Sequence, residues 1–314
     1  MHLRRSTTAV ALAAALAVAG ATASSAEPDA GTAPAQAGPR SLSVLGSLDL
    51  GGSLGSLAPQ GPQTPVLESI KNFRDVAGSG YTGEYGPLNT GVFFRANAPL
   101  KTSEADLATL AGLGITRSYD MRAQNEIDNP YVGGQAVLPG QTEYAHVPID
   151  FADIVEMAMQ IQSAEEAREH MVNTNRGFVT DAQTRGQFAR VLSGLAENGD
   201  PQMVHCTSGK DRTGWVGFLL LSIAGIDRET IMEDYLLSNA NLEQDNERII
   251  QIISAALSPE AADNLYPLLI VEPGYLQAGI DQLDDDYDDV ESYLTDGLGL
   301  TEQTIENLRA KLVG

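Results

Sequence analysis

The chain has 314 residues, 43% of them hydrophobic, and 42 acidic against 19 basic side chains give it a net charge of −23. A negative charge of this size repels nucleic acid and anionic membrane surfaces at long range, so we expect no nucleic-acid partner. A site for an anionic ligand must therefore be a local positive spot in a negative field.

Residues 1–26 have the pattern of a secretory signal peptide. Arg4 and Arg5 precede an apolar run over 9–19, and small residues follow, with cleavage sites after Ala26 or Ala23. The apolar run is too short to span a bilayer, so we predict a secreted, extracellular protein without stable membrane insertion after cleavage. The alternative is an anchor that stays attached. Removal of this segment takes two arginines and no acid, and 17 − 42 gives −25.

Residues 27–64 are rich in Pro, Gly, Ala and Ser, which is typical of a flexible linker. Leucines at 42, 45, 48, 50, 54 and 57 do not fit a fully solvated linker. They either dock on the following domain or pair with an edge strand. The remaining stretch, 65–314, is long enough for one domain with a large core.

Strands and helices alternate in this domain. A helix is predicted from Ser103 to about 112–114, and the segment 150–198 is mostly helical. Another helix, from Arg212 to Ala224, is apolar nearly all round and should be central, with Gly225 ending it and Asp227 capping the next. Predicted strands lie near 68–76, 92–96, 116–121, 144–149 and 201–206. The pattern predicts an α/β fold of three layers, with a central, mostly parallel sheet between helices.

The segment after the last predicted strand is the most informative in the chain. Cys206 is the only cysteine, five residues separate it from Arg212, and Thr213 follows. We call residues 206–213 the phosphate loop. A loop between a strand and a helix can turn several backbone N–H groups toward an anion, and the helix dipole adds partial positive charge. The segment therefore predicts a site for a phosphate monoester.

Each position of the phosphate loop has a chemical use. Gly209 lets the loop close tightly, and Arg212 offers a planar fork for two phosphate oxygens. The positive surroundings favour the thiolate of Cys206, which can attack phosphorus. Thr213 can hydrogen-bond the sulfur and ease its departure, and the preceding His205 is expected to order the loop. The alternative is a buried structural cysteine.

The loop resembles the signature of the cysteine-dependent protein tyrosine phosphatase superfamily. Its Gly-Lys-Asp-Arg-Thr-Gly sequence is most similar to the atypical secreted bacterial phosphatases that also accept phosphoinositides. Four shorter segments, at 72–78, 93–96, 119–122 and 234–239, are similar to motifs of that group and occur in the same order. The resemblance implies a phosphatase catalytic domain over 65–314, and a helical lid over the active site within 150–198; ordinary packing of those helices is the alternative.

The resemblance also implies a general acid, because the leaving oxygen needs a proton. The sole tryptophan is Trp215, inside the predicted helix, so the usual Trp-Pro-Asp loop is absent from the sequence. Asp211 is the first candidate, with structural positioning of Arg212 as its alternative role. Asp120 is the second, with an ion pair to Arg122 as its alternative, and Asp150 is the third.

The predicted substrate is chiefly phosphotyrosine in proteins, with a phosphoinositide as the alternative. The phosphate would be held by Thr207, Ser208, Gly209, Lys210 and Arg212. Lys210 would attract further phosphates or lie solvated at the surface. No metal or other cofactor is expected for this chemistry, and a non-catalytic phosphate-binding module remains the alternative from another class.

Overall fold

The computed structural model describes residues 64–129, 133–151, 157, 160–199 and 201–314. The predicted signal peptide, over 1–26, and nearly all of the predicted linker lie outside these residues. Among the described helices, none has both the length and the hydropathy needed to cross a bilayer.

Seven short strands form two sheets in the described part of the chain. The larger sheet has the order β1-β4-β7-β5-β6, in which β4, β7, β5 and β6 are parallel and β1 is antiparallel. The strands β2 and β3 form a separate hairpin. The strands are β1 Arg74–Asp75, β2 Thr82–Gly83, β3 Gly86–Pro87, β4 Phe93–Asn97, β5 Arg117–Asp120, β6 Glu143–His146 and β7 Gln202–Cys206.

Ten helices surround the sheet in the described ranges. The longest is α6, and a π-helical turn, Tyr293–Gly297, follows α9 directly. The helices are α1 Glu104–Gly112, α2 Gln124–Asp128, α3 Ala164–Thr180, α4 Ala182–Glu197, α5 Arg212–Ile223, α6 Arg228–Ala256, α7 Pro259–Leu269, α8 Pro273–Tyr287, α9 Val290–Ser292 and α10 Glu302–Leu312.

Side chains of the sheet alternate between two apolar layers. Phe93 and Val204 pack into the main core with α3, α4, α5, α8 and α10, whereas Phe94 and Met203 face a smaller cluster that includes Leu110 of α1. A third cluster joins α3, α6, α7 and α8. The predicted three-layer α/β architecture with a mostly parallel sheet is thus confirmed.

The prediction of a strand over 68–76 is wrong except at its end. Only Arg74–Asp75 pairs with β4, because the chain turns at 70–73, where the N–H of Phe73 donates to the carbonyl of Ile70 at 3.2 Å. Asp75 then directs the chain into a further turn by accepting the N–H of Ala77 at 2.8 Å. The other four predicted strands are present within one to three residues of their expected ends.

The helix signals in the sequence act as expected. Ser103 caps α1 by accepting the N–H of Asp106, and Asp227 caps α6 by accepting that of Thr230. Gly225 follows α5 with a φ of 72°, a left-handed conformation that glycine adopts at no steric cost. Nearly every residue of α5 is buried, including Trp215, whose ring contacts Phe218 with centroids 4.9 Å apart.

Candidate active site

The phosphate loop lies at the carboxyl end of the central strand. Cys206 is the last residue of β7, with Asn97 of β4 beside it and the end of β5 on its other side. The loop then leads into the first turn of α5 at Arg212. The carboxyl edge of a parallel sheet is where ligand sites form in open α/β folds, and here a helix N-terminus meets it.

Arg212 is the best-connected cation of the site. It is 2% exposed, and its Nη1 donates to Glu126 at 2.6 Å and to the carbonyls of Met121 and Ile149 at 3.1 and 3.0 Å. Its Nη2 donates once to Glu126, at 2.7 Å. Nε is buried and has no hydrogen-bond partner among the described residues. The edge formed by Nε and the second Nη2 hydrogen therefore remains for two phosphate oxygens.

Glu126 is a site residue that the sequence did not predict. Its carboxylate holds Arg212, accepts the hydroxyl of Thr207 and accepts the backbone N–H of Ala123 at the start of α2. Burial alone would raise the pKa of Glu126, but the hydrogen bonds and charge of Arg212 outweigh burial and lower it. A glutamate three residues after a helix cap indicates a local cap in the sequence, and nothing in the pattern links it to Arg212.

The same pair keeps Arg212 charged. Burial alone would lower the pKa of the guanidinium, but the hydrogen bonds of Glu126 and attraction to Cys206 raise it above its ordinary value. Phe151 covers one face of this cation, with the ring centroid 4.5 Å from the central guanidinium carbon. Such a contact is a cation–π interaction and fixes the plane of the fork.

A groove of about 440 Å³ opens beside Phe151. Its walls come from the segment after β6, from α2 and its preceding loop, and from α3 and α4. Asp150, the third candidate acid, is exposed on this groove, directly before Phe151 and directly after the carbonyl of Ile149 that binds Arg212. Phe151 and Phe178 contribute aromatic surface to a lining that also contains the carboxylates of Asp150 and Asp181. Aromatic surface beside a buried cation suits an aromatic phosphate ester.

Lys210 and Asp211 form a buried pair inside the loop. The ammonium of Lys210 lies 3.0 and 2.9 Å from the two carboxylate oxygens of Asp211, and the residues are 3% and 6% exposed. Lys210 is therefore not the solvated surface lysine of the alternative interpretation. Asp211 does not position Arg212 in this arrangement either, since Glu126 does so.

Asp120 is held by several donors at the end of β5. It is fully buried, and it accepts Nη2 of Arg122 at 2.6 Å, the backbone N–H of Arg122 at 3.0 Å and the hydroxyl of Tyr144 at 3.0 Å. Burial would raise its pKa, but attraction to His205 and the bonds from Arg122 lower it to about 2. This geometry favours the ion pair with Arg122 over the role of proton donor.

His205 and Thr213 lie on either side of the sulfur in sequence, and both are fully buried. Burial lowers the pKa of His205 to about 4, so the ring is neutral at pH 7 and attracts the carboxylate of Asp120 as a cation only at lower pH, where Asp120 titrates. The Nδ1 of His205 lies 3.7 Å from Asp120, too far for a hydrogen bond. The hydroxyl of Thr213 is buried and has no hydrogen-bond partner among the described residues.

Cys206 is 1% exposed and is the free thiol at the base of this arrangement. The structure thus brings together the predicted loop residues, adds Glu126 and Phe151, and sets Asp120 apart in its own ion pair.

Comparison with known families then decides the class of the protein. The tyrosine phosphatase family model matches residues 65–314. This chain belongs to the tyrosine phosphatase family. It is an enzyme, a phosphoric monoester hydrolase of the protein-tyrosine-phosphatase class.

Three curated phosphatases resemble the chain. A triple specificity protein phosphatase of Mycobacterium tuberculosis is 29% identical over 278 residues, covering 79% of this chain and 98% of that protein. A provisionally named tyrosine-protein phosphatase of Cupriavidus necator is 27% identical, covering 76% and 85%. A tyrosine-protein phosphatase of Nostoc commune is 24% identical, covering 68% and 71%.

The two helices between 164 and 197 pack on the rest of the domain and also border the groove. Phe178 of α3 and Phe188 of α4 pack into the main core, and Met171 of α3 belongs to the cluster shared with α6 and α7. Both helices also contribute to the wall of the groove, with His170, Thr174, Gly177 and Phe178 from α3 and Thr184 from α4. The helical lid over the active site stays a prediction.

Proposed function

We propose that this phosphatase hydrolyses chiefly phosphotyrosine, through a cysteinyl-phosphate intermediate, and that it acts outside the cell. The observation that carries the mechanism is the free edge of Arg212, held by Glu126 next to a buried thiol at a helix N-terminus. A fork fixed in this way matches two phosphate oxygens and strengthens its hold as charge develops on them.

The first step transfers the phosphoryl group to the enzyme. The thiolate of Cys206 attacks phosphorus, an S–P bond forms, and the P–O bond to tyrosine breaks. Asp211 takes up a proton from solvent when Lys210 turns from its carboxylate to the substrate, and it donates this proton to the departing phenoxide. Asp211 is favoured because its carboxylate has one side-chain partner, Lys210, in the described structure, whereas Asp120 is held by Arg122 and Tyr144.

The second step restores the thiolate. Asp211, now a carboxylate, takes a proton from water, whose oxygen attacks phosphorus as the S–P bond breaks. The hydroxyl of Thr213 donates to the sulfur and stabilises its negative charge. Inorganic phosphate leaves, and Asp211 again carries the proton that the next cycle needs.

Two features support an aryl ester. Cys206 and Arg212 are almost fully buried, so a long side chain is required to bring a phosphate to them. The ring of Phe151 and the aromatic surface of the groove suit the ring of tyrosine. The shorter side chains of phosphoserine and phosphothreonine are accordingly the least favoured substrates.

A phosphoinositide is the second candidate. Lys210 supplies an additional cation next to Arg212, which suits a headgroup with several phosphates, and the relative in M. tuberculosis is named for triple specificity. The overall charge of −23 opposes approach to an anionic membrane. A panel of phosphopeptides and water-soluble phosphoinositides, ranked by kcat/KM, separates the two, and a clear preference for the inositol esters would overturn the proposal.

The intermediate is tested with Cys206→Ser. We expect this variant to lose essentially all turnover of para-nitrophenyl phosphate while it still binds vanadate, because a serine hydroxyl without a base is a poor nucleophile. Mass spectrometry of acid-quenched wild type should find one phosphate on Cys206. Substantial turnover by the serine variant would contradict the mechanism.

Export is tested on the protein made in its own cell. We expect the extracellular form to begin at residue 24 or 27, and N-terminal sequencing reads this directly. An intact N-terminus in the cell fraction would contradict the proposal.

A further inference from the structure

The phosphate loop has a rear side that the proposed chemistry does not use. Three of its carbonyl groups in succession are engaged there. The carbonyl of Thr207 accepts the N–H of Ala98 at 3.0 Å. The carbonyls of Ser208 and Gly209 accept the amide of Asn72 at 3.0 and 3.1 Å, and Gly209 also accepts Nη2 of Arg95 at 3.0 Å.

These carbonyl contacts fix the direction of the neighbouring N–H groups. In a trans peptide, the carbonyl of one residue and the N–H of the next point in opposite directions. Carbonyls drawn toward β4 and Asn72 therefore turn the N–H groups of Ser208, Gly209 and Lys210 away from β4. A phosphate needs such donors, and the partial positive charge of several parallel N–H groups forms an anion site.

The donors behind the loop are themselves held in place. Arg95 is 1% exposed, and its Nη1 donates to Asp234 at 2.8 Å while its Nη2 reaches Gly209. Asp234 also accepts Nε of Arg74 at 3.2 Å. Burial would raise the pKa of Asp234, but the charges of Arg74 and Arg95 outweigh burial and lower it. The carboxylate is therefore ionised and keeps Arg95 in one orientation.

Asn72 is fixed in the same manner. Its carbonyl oxygen accepts Nη1 of Arg74 at 2.6 Å and the amide of Asn241 at 3.1 Å, which leaves its NH₂ group to face the loop. The loop also lies against the backbone of β4: a Cβ on Gly209 would meet the carbonyl oxygen of Ala96 at 2.3 Å, and its φ is 69°. Only glycine fits there, so the loop and its rear donors form one rigid unit.

From this arrangement we propose that Arg95 and Asn72 are positioning residues, which orient three peptide groups of the phosphate loop so that their N–H groups face the substrate phosphate. The proposal rests on the function proposed above. Neither side chain touches the reacting atoms, and each acts through a loop carbonyl. Without Asn72 the carbonyl of Ser208 would lose the donor described here, and without Arg95 the carbonyl of Gly209 would keep only the amide of Asn72. In either case the peptide group would be held less firmly and would turn to satisfy its carbonyl.

Inorganic phosphate is the probe, measured by calorimetry on the Cys206→Ser protein, so that binding is read without turnover. Arg95→Met in this background should weaken phosphate binding about 10-fold or more. The matched control is Tyr81→Phe, which removes another donor to Asp234, a hydroxyl at 3.4 Å, but no contact with a loop carbonyl or with Asn72. We expect this control to keep phosphate affinity within about 3-fold. Equal losses in the two variants, or unchanged affinity in Arg95→Met, would overturn the proposal.

Two further variants protect the test against misfolding. Arg95→Lys keeps a charge beside Asp234 but cannot span Asp234 and Gly209 with one fork, so it should recover stability more than phosphate affinity. Asn72→Ala leaves the pair of Arg95 and Asp234 intact and should also weaken phosphate binding. An Asn72→Ala protein with wild-type phosphate affinity would contradict the positioning role proposed for Asn72. If the Cys206→Ser protein binds no phosphate at all, the assignment of the loop itself fails.

Discussion

Two neighbouring regions of the active site use their polar groups differently. In the segment 120–128, at the end of β5, both carboxylates of the site accept several hydrogen bonds. Asp120 accepts them from Arg122 and Tyr144. Glu126 accepts them from Arg212 and from the backbone of Ala123. In the phosphate loop, Nε of Arg212 and the hydroxyl of Thr213 are buried without partners among the described residues. Groups with hydrogen-bond partners form a rigid support, and groups without them remain for the substrate and, in the proposed mechanism, for the sulfur of Cys206.

The first two of the three carboxylates that the sequence offered as proton donors belong to opposite sides of this comparison. Asp120 is ionised and held by several donors, whereas the carboxylate of Asp211 has one side-chain partner, Lys210, in the described structure. A general acid has to exchange a proton in every cycle, which a carboxylate fixed by an arginine does poorly. The comparison makes four measurements informative.

The largest expected effect comes from Asp211→Asn. Hydrolysis of phosphotyrosine should slow about 10²- to 10⁴-fold, because the phenoxide leaves without a proton. Hydrolysis of esters with good leaving groups should slow much less, and the pH–rate profile for phosphotyrosine should lose its basic limb. Rates with a series of aryl phosphates of increasing leaving-group basicity measure both.

Asp120→Asn and Asp150→Asn are the controls for that experiment. Each should affect good and poor leaving groups equally. If Asp120→Asn shows the selective loss instead, the segment 120–128 takes part in proton transfer and is not only a rigid support. A selective loss in Asp150→Asn would give the role to the groove beside Phe151.

Arg212→Lys should have the next largest effect. Lysine keeps the charge but not the fork that joins Glu126 to the phosphate, and we expect kcat/KM to fall about 10²-fold. The matched change is Arg122→Lys in the segment 120–128. It should lower the unfolding temperature clearly and reduce kcat/KM much less than Arg212→Lys does. A near-wild-type Arg212→Lys enzyme would contradict the assigned contact with phosphate.

Glu126→Gln should have a smaller effect of the same kind. The amide keeps the shape and one acceptor but loses the charge, so the fork of Arg212 is held less firmly and kcat/KM should fall about 10-fold. Asp128→Asn, on the same helix and partnered with Gln124, should leave kcat/KM unchanged. Equal kcat/KM values of the two variants would contradict the role of Glu126 in holding Arg212.

The last effect concerns stability at acid pH and not activity at neutral pH, and it involves His205, which lies between the two regions. Its folded-state pKa is lowered to about 4, so between pH 6.5 and 4 the unfolded chain takes up a proton that the folded protein does not. Stability should therefore fall as the pH decreases through this window, by about 1.4 kcal/mol per pH unit at most.

Asp75 opposes this trend, because burial raises its pKa to about 6 and stability from this group grows as the pH falls. The measurement is therefore the difference in urea unfolding between wild type and His205→Gln, which cancels the contribution of Asp75. A constant difference between pH 7 and 4 would show that His205 does not titrate as assigned.

The parts of the site that the sequence predicted are those built from consecutive residues. Cys206, Arg212 and Thr213 follow a strand and open a helix, and both elements have local signals in their hydrophobic pattern and flanking residues. The supports could not be found in this way. Glu126 reaches Arg212 across 86 residues and Arg95 reaches Gly209 across 114, and such contacts depend on strand order, which one sequence does not specify.

The strand expected at 68–76 failed for a related reason. Its hydrophobic residues do contact the core, since Ile70 and Phe73 pack with Phe94. They do so from turns and not from a strand, because Asn72 between them is held by other contacts. Its side-chain amide donates to the carbonyl of Ser208 in the phosphate loop, and its backbone N–H donates to the side-chain oxygen of Asn97 at 2.9 Å. Tertiary contacts of one polar residue thus override the local preference of its neighbours for a strand.

The position of Trp215 gives the molecule an optical reporter. It is the single tryptophan, fully buried, on the helix that begins with Arg212, and its Nε1 has no partner among the described residues. The whole indole fluorescence therefore arises within one turn of the phosphate loop, from a ring in contact with Phe178, Phe218 and Tyr293. The emission spectrum of the unlabelled protein should be blue-shifted and should report the integrity of the helix that carries the active-site arginine.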